Sequence, residues 1–453
     1  MRRVHIALAA FLASCAHAPA VAPAASVPAS NEVLIRIERA AGGGTWRVAW
    51  RLPRPVREVR FSRPGHGDRA AHWTIGTAGL SLSTEDGVDR ITSAGPPFRG
   101  FEVVVAEYAR KPEKDYQVFI PFTDGSVLVF TGAFDVDAPA GGPSWPIGYT
   151  LVPRPGEGVV VGGVSHRGKA AWIAEGDGTY ACFGDTPPVE TPFGVAVVDR
   201  GMPAWLRDRT LALAPRVFAR YASGTGQALS ERPTLFLSYG VDPAPGRQSF
   251  GGWTLEGVVQ LDTRLGARHT GEEDPDVWEK QARLLAHEAA HLWLDHAFRP
   301  AEPAGRWLDE GGADAFALRA LVDLGVITRE RFQETLSADA AECLRQLEDG
   351  PLSGAARAGR WKALYRCGEL ASFLAEAAAS RRDPPWDLLQ FWGQVFWDAP
   401  DRTYDEESWF SVLSALPGGP EASDVVRRMV DRPDPSIAAA VGSLLRIGAW
   451  PAR

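Results

Sequence analysis

His287-Glu288-Ala289-Ala290-His291, followed by Glu310 inside Trp307-Leu308-Asp309-Glu310-Gly311, is the stretch on which the reading of this chain turns. Leu284 to Phe298 carries apolar residues at helical spacing with no interior Gly or Pro. The two histidines at i and i+4 therefore share one helix face, about one turn apart, where their rings can converge on one ion. Glu288 is rotated roughly 100° around the helix from His287, beside a metal's open position, where a general base is needed. Glu310 opens a second predicted helix, Gly311 to Leu324, that packs on the first. Two histidines and one carboxylate leave a fourth position for water, so the spacing predicts a catalytic type of zinc site, one Zn2+ per chain. Asp314 stands one turn beyond Glu310, placed to accept the outer ring N–H of a ligand histidine, His287. A bare H-E-x-x-H also arises by chance in solvated helices. The amphipathic helix, Glu310 and Asp314 together tell against that reading.

The pattern resembles the gluzincin metallopeptidases, specifically the aminopeptidase N type and their glycyl-aminopeptidase relatives, over about residues 251–374. The resemblance implies an α+β multidomain chain with an N-terminal β-sandwich, a thermolysin-like zinc peptidase domain and a C-terminal helical region. It implies hydrolysis of a peptide or protein substrate, with Glu288 as base. It also implies a tyrosine in a Y-x-x-G helix that hydrogen-bonds the tetrahedral intermediate, a pattern that Tyr365-Arg366-Cys367-Gly368 fits. In Phe250-Gly251-Gly252-Trp253-Thr254-Leu255-Glu256-Gly257 the family's edge strand is matched at Gly251 and Gly252, which would align the substrate backbone. Thr254 stands where the family has the Glu that binds the substrate's free amino group. Glu256, two residues on and about 7 Å along the same strand face, is the remaining candidate for that anchor. Endopeptidase and aminopeptidase both stay open. So does a different class, a zinc-containing lipoprotein that acts as a non-catalytic binding module.

The leader predicts where the chain works. Met1-Arg2-Arg3 and an apolar run to Phe11 end in Leu12-Ala13-Ser14-Cys15, a bacterial lipoprotein signal peptide over 1–15 with Cys15 as the lipidated residue. An ordinary secretory signal cleaved near Ala18 or Ala20 is the alternative. Ala16 is not the Asp that retains bacterial lipoproteins at the inner membrane, so the expectation is the cell envelope, at the outer membrane and facing the periplasm. No other segment approaches the roughly 20 apolar residues of a span, so the membrane contact is the lipid anchor alone. Lys plus Arg at 48 against Asp plus Glu at 56 gives a net charge of −8 without a basic run, which excludes nucleic acid as a partner. Oligomeric state is left open. Cys343 and Cys367 both fall in helical sequence, as a disulfide or as two buried thiols.

Residues 16–31 form an Ala/Pro-rich tether. From 32 to 200, short β-branched and aromatic runs broken by Gly, Pro and Asp clusters predict a β-sandwich. Over 201–345 a helix from Trp205, strands at Thr234 to Tyr239 and Val258 to Asp262, and the two zinc helices predict the catalytic domain. Helices fill the C-terminal region, 346–453.

Overall fold

Two hydrophobic cores organise the chain. The computed structural model describes residues 31–447 apart from positions 66, 111–114, 139–144, 175, 177, 302–304 and 435. The leader with Cys15 lies outside the described residues. Among the described residues no helix is long and apolar enough to cross a membrane.

The N-terminal part is β-rich, and three sheets share its core. The largest has six strands in the spatial order Ala170–Ala174, Ile147–Val152, Val33–Arg39, Thr45–Val56, Phe98–Ala106, Trp73–Ile75. Its pairing is antiparallel except where Val33–Arg39 meets Ile147–Val152. Alternation sets its inner face: Val33, Ile35 and Ile37 are buried while Arg36 between them is exposed. Aromatic side chains fill the space between sheets, Trp50 stacking on Phe101 at 4.4 Å between ring centroids. Tyr180–Gly184 is a strand that sequence reading overlooked, because Ala181, Cys182 and Gly184 interrupt its run of aromatic residues.

The second core is built on a five-stranded sheet of β1 (Val189–Glu190), β2 (Val195–Val198), β3 (Thr234–Asp242), β4 (Gln248–Leu255) and β5 (Val258–Gly266), ordered β1-β2-β3-β5-β4. β2, β3 and β5 are parallel, and β4 turns back antiparallel on β5 as the edge. Among helices α1 (Ala204–Thr225), α2 (Pro275–His291), α3 (Asp309–Asp323), α4 (Arg329–Glu348) and α5 (Trp361–Ala379), α2 lies on β4 and β5, α1 and α3 pack on α2, α5 packs on α3 and α4 on α5, with α6 (Leu388–Asp398), α7 (Glu406–Ser414), α8 (Gly419–Asp431) and α9 (Ile437–Ile447) behind. The limits expected at 200 and 345 do not coincide with the cores. β1 and β2 precede residue 200, and one core runs from Ala196 to Val441 with no break at 345. The β-rich core in turn takes in Val197, Phe236, Leu255 and Val258 from the second sheet, so the two parts are packed together at β2, β3 and the β4–β5 turn. Cys343 of α4 and Cys367 of α5 form a disulfide.

Candidate metal centre

The helix that carries the two histidines begins cleanly. Asp274 caps it by accepting from the Asp276 and Val277 amides, and Pro275 occupies the first helical position, where no amide is needed. Beyond His291 the helix does not continue as α to Phe298, the end that periodicity suggested. It widens into a π-helical turn, Leu292–Ala297.

On this frame His287, His291 and Glu310 meet. The Nε2 atoms of the two histidines lie 3.1 Å apart, and Oε2 of Glu310 lies 3.7 Å from the first and 3.8 Å from the second. The point in their plane equidistant from these three atoms is about 2.1 Å from each, the length of a zinc–nitrogen or zinc–oxygen bond. Donor chemistry and spacing thus fit a single zinc ion.

Each ring is fixed from behind. Asp314 Oδ1 lies 2.9 Å from His287 Nδ1, and Asp295 Oδ2 lies 2.5 Å from His291 Nδ1. Both Nε2 atoms are thereby turned inward. Asp314 is held in turn by Arg366 at 2.9 Å, and Arg366 and Arg283 also pair with Asp339 and Glu369. Burial works against the Asp314 charge, but the bond to His287 and the two guanidiniums bring its pKa down to about 2. Burial also opposes charge on His287 and His291. The carboxylates facing them win, holding His287 well above the usual range and His291 at about 9. Glu310 resists burial in the same way: its bond to His287 and the charges of both histidines keep it well below the usual carboxylate range. This surplus of negative charge attracts protons to the rings, and it would equally attract a dication.

Glu288 lies beside the cluster against β4. A Cβ on Gly252 would fall 2.5 Å from Glu288 Cγ, so only glycine lets the carboxylate rest there. The Thr254 hydroxyl lies 2.9 Å from Glu288 Oε2 and 2.8 Å from its main-chain oxygen. Burial pushes the Glu288 carboxyl above its ordinary range, partly offset by the two histidines. Tyr365 approaches from α5, its ring 5.9 Å from that of His287 and its hydroxyl bonded to Glu310. Burial and the Glu310 carboxylate raise its pKa, which keeps the phenol a donor. Two glycines allow this approach. A Cβ on Gly311 would meet the Gly368 Cα at 2.3 Å, and one on Gly368 would meet the Trp307 oxygen at 2.0 Å, so α3 and α5 cross backbone to backbone.

These groups line a cavity of about 920 Å³ together with Gly251, Gly252 and Thr254. Glu256 is not among them, which corrects its place among the substrate-binding candidates. It lies past the end of β4, in the turn before Val258, exposed, and faces a separate cavity of about 350 Å³ with Glu231 and Arg299. Counting along the strand face assumed that the strand continues, and it stops at Leu255. Sequence reasoning missed Asp295, Arg283, Arg366, Asp339 and Glu369. Asp295 was within reach, because it follows His291 by one turn; the rest of the cluster converges only through packing of α2, α3, α4 and α5.

No protein-family model matches the chain, and no curated protein matches it by sequence. Its fold is similar to that of an aminopeptidase N family protein from Idiomarina loihiensis, at 14% identity over 90% of this chain and 78% of that one, with a TM-score of 0.68. An M1 zinc metallopeptidase from Deinococcus radiodurans, solved with a Tyr-Ser-Ala substrate, aligns over 88% of this chain and 93% of that one at 16% identity and a TM-score of 0.47. At 14% identity the likeness to the Idiomarina protein is one of fold: an α+β multidomain chain with a β-rich N-terminal part and C-terminal helices.

Proposed function

We propose that this chain is a zinc-dependent peptidase holding one Zn2+ on His287, His291 and Glu310. The observation that carries the reading is the donor triangle, sized for a zinc ion, with the Glu288 carboxylate beside it in a cavity bordered by the edge strand β4. Zinc, when bound, supplies Lewis acidity that polarises the scissile carbonyl and acidifies water. Glu288 then takes the proton of the attacking water and delivers it to the leaving nitrogen, a role that its raised pKa suits. Tyr365 donates a hydrogen bond to the oxygen that gains charge in the transition state. The Gly251-Gly252 segment of β4 aligns the peptide main chain by strand addition.

Metal analysis of the purified protein should find one zinc per chain, and a mixed peptide library read by mass spectrometry should show cuts that stop on chelation and resume with zinc. A zinc-loaded protein that leaves the whole library intact would overturn the proposal. Cuts confined to the first peptide bond would mark an aminopeptidase, internal cuts an endopeptidase. We further propose that Cys15 is lipidated and tethers the enzyme to the bacterial outer membrane, facing the periplasm. Its test is whether Cys15→Ser moves the protein from the membrane fraction to the soluble one.

A further inference from the structure

The large cavity has two unlike ends. At the C-terminal end of β4 the strand edge is shut, because the Tyr116 hydroxyl donates to the Thr254 carbonyl (3.1 Å) and the Trp253 indole donates to the Asp115 carbonyl (3.1 Å). A loop of the β-rich part therefore lies across the edge at Thr254. Outward main-chain groups recur at every second residue of an edge strand, so those of Gly252 and Phe250 are the next along the same side.

The other end, at Gln248, carries Lys280, whose ammonium donates to Gln248 Oε1 at 3.0 Å. Arg63, Arg283, Arg306 and Arg366 line the same cavity, and each is paired with Asp or Glu. Lys280 has no carboxylate partner among the described residues, and it is exposed. It precedes His287 by seven residues on α2, a spacing that returns to within about 20° of the same face and lies about 10.5 Å along the axis. An extended peptide covers that distance in about three residues.

A peptide that adds to β4 in the more stable antiparallel sense has its N-terminal side at the shut end and its C-terminal side at Gln248. We propose that Lys280 recognises a carboxylate two to three residues C-terminal to the scissile bond, so that the site takes short peptides with a free C-terminus or an acidic residue there. The inference rests on the peptidase reading above and narrows its substrate class.

The test compares the zinc-loaded full chain on Leu-Ala-Ala-Ala, on its C-terminal amide, and on Leu-Ala-Ala-Glu amide, with cleavage positions read by mass spectrometry. The free acid and the Glu amide should exceed the plain amide in kcat/KM by about three- to fivefold, the range of an exposed charge pair, and about 0.5 M salt should erase the difference. A preference for the free acid alone would mean a chain terminus, and a preference for both would mean any carboxylate. Lys280→Met should cleave all three equally, Lys280→Arg should keep the preference, and Lys280→Glu should reverse it. Equal cleavage of all three by the unaltered chain overturns this inference and leaves the peptidase reading standing. If none is cleaved, calorimetric titration of the same peptides into the Glu288→Gln protein decides the Lys280 assignment without turnover: a preference for the carboxylate-bearing peptides that vanishes on adding Lys280→Met supports it, and no preference overturns it.

Discussion

At His287 and His291 the outer ring nitrogen matters as much as the inner one, because a carboxylate on Nδ1 fixes both the tautomer and the aim of Nε2. Asp314→Asn and Asp295→Asn should each weaken zinc binding by about 10- to 100-fold, measured by competition with a chromophoric chelator. Asp314→Asn should be the more harmful, since it also leaves Arg366 and Arg283 short of a partner in a largely buried cluster. Equal zinc affinity in both variants and the parent would show that these carboxylates do not orient the rings. Glu288 is a different case, touching no ring nitrogen that the metal needs. Glu288→Gln should keep full zinc content in metal analysis yet lose roughly 10²- to 10⁴-fold in kcat, because an amide cannot accept the water's proton.

Among the secondary-structure elements, the crossing of α3 and α5 has little tolerance. Gly368→Ala would place a methyl group 2.0 Å from the Trp307 oxygen, and neither backbone can yield without separating the helices. The expected outcome is a loss of about 1–3 kcal/mol in denaturant unfolding, the usual cost of overpacking, together with a lower kcat as Tyr365 retreats. Gly359→Ala offers a control off this crossing, since no atom lies within 4 Å of its added Cβ, and its left-handed backbone (φ +68°) should cost stability without touching kcat. The π-helical turn after His291 has a comparable local purpose: it ends α2 just where Asp295 must come round to His291.

For the whole molecule, the proposed zinc ligands come from both α2 and α3, so ion binding should be coupled to folding. Adding a chelator to the zinc-loaded protein should lower its melting temperature, and zinc at about 1,000 times its Kd should restore about 4 kcal/mol of apparent stability. Scanning calorimetry checks this, and an unchanged transition would mean that the three ligands hold no ion. The β-rich part belongs to the same unit. It shares side chains with β2, β3 and the β4–β5 turn, and through Asp115 and Tyr116 it closes one end of the cleft.

What the sequence determined by itself is what local geometry dictates. Helical periodicity puts His287 and His291 on one face, and the spacing from Glu310 to Asp314 puts two carboxylates one turn apart, because 3.6 residues per turn holds throughout an α-helix. Runs of β-branched and aromatic residues likewise marked strands such as Val33 to Ile37, inside the observed Val33–Arg39, and missed Tyr180–Gly184. Only the tertiary structure decided where strands end and which elements converge. The stop at Leu255 removed Glu256 from the cleft, and α4 and α5 brought Asp339 and Glu369 to two arginines. The packing of the β-rich part set Tyr116 on Thr254. Each of these depends on contacts between residues far apart in the chain, formed by shape and burial, which no local repeat of the sequence encodes.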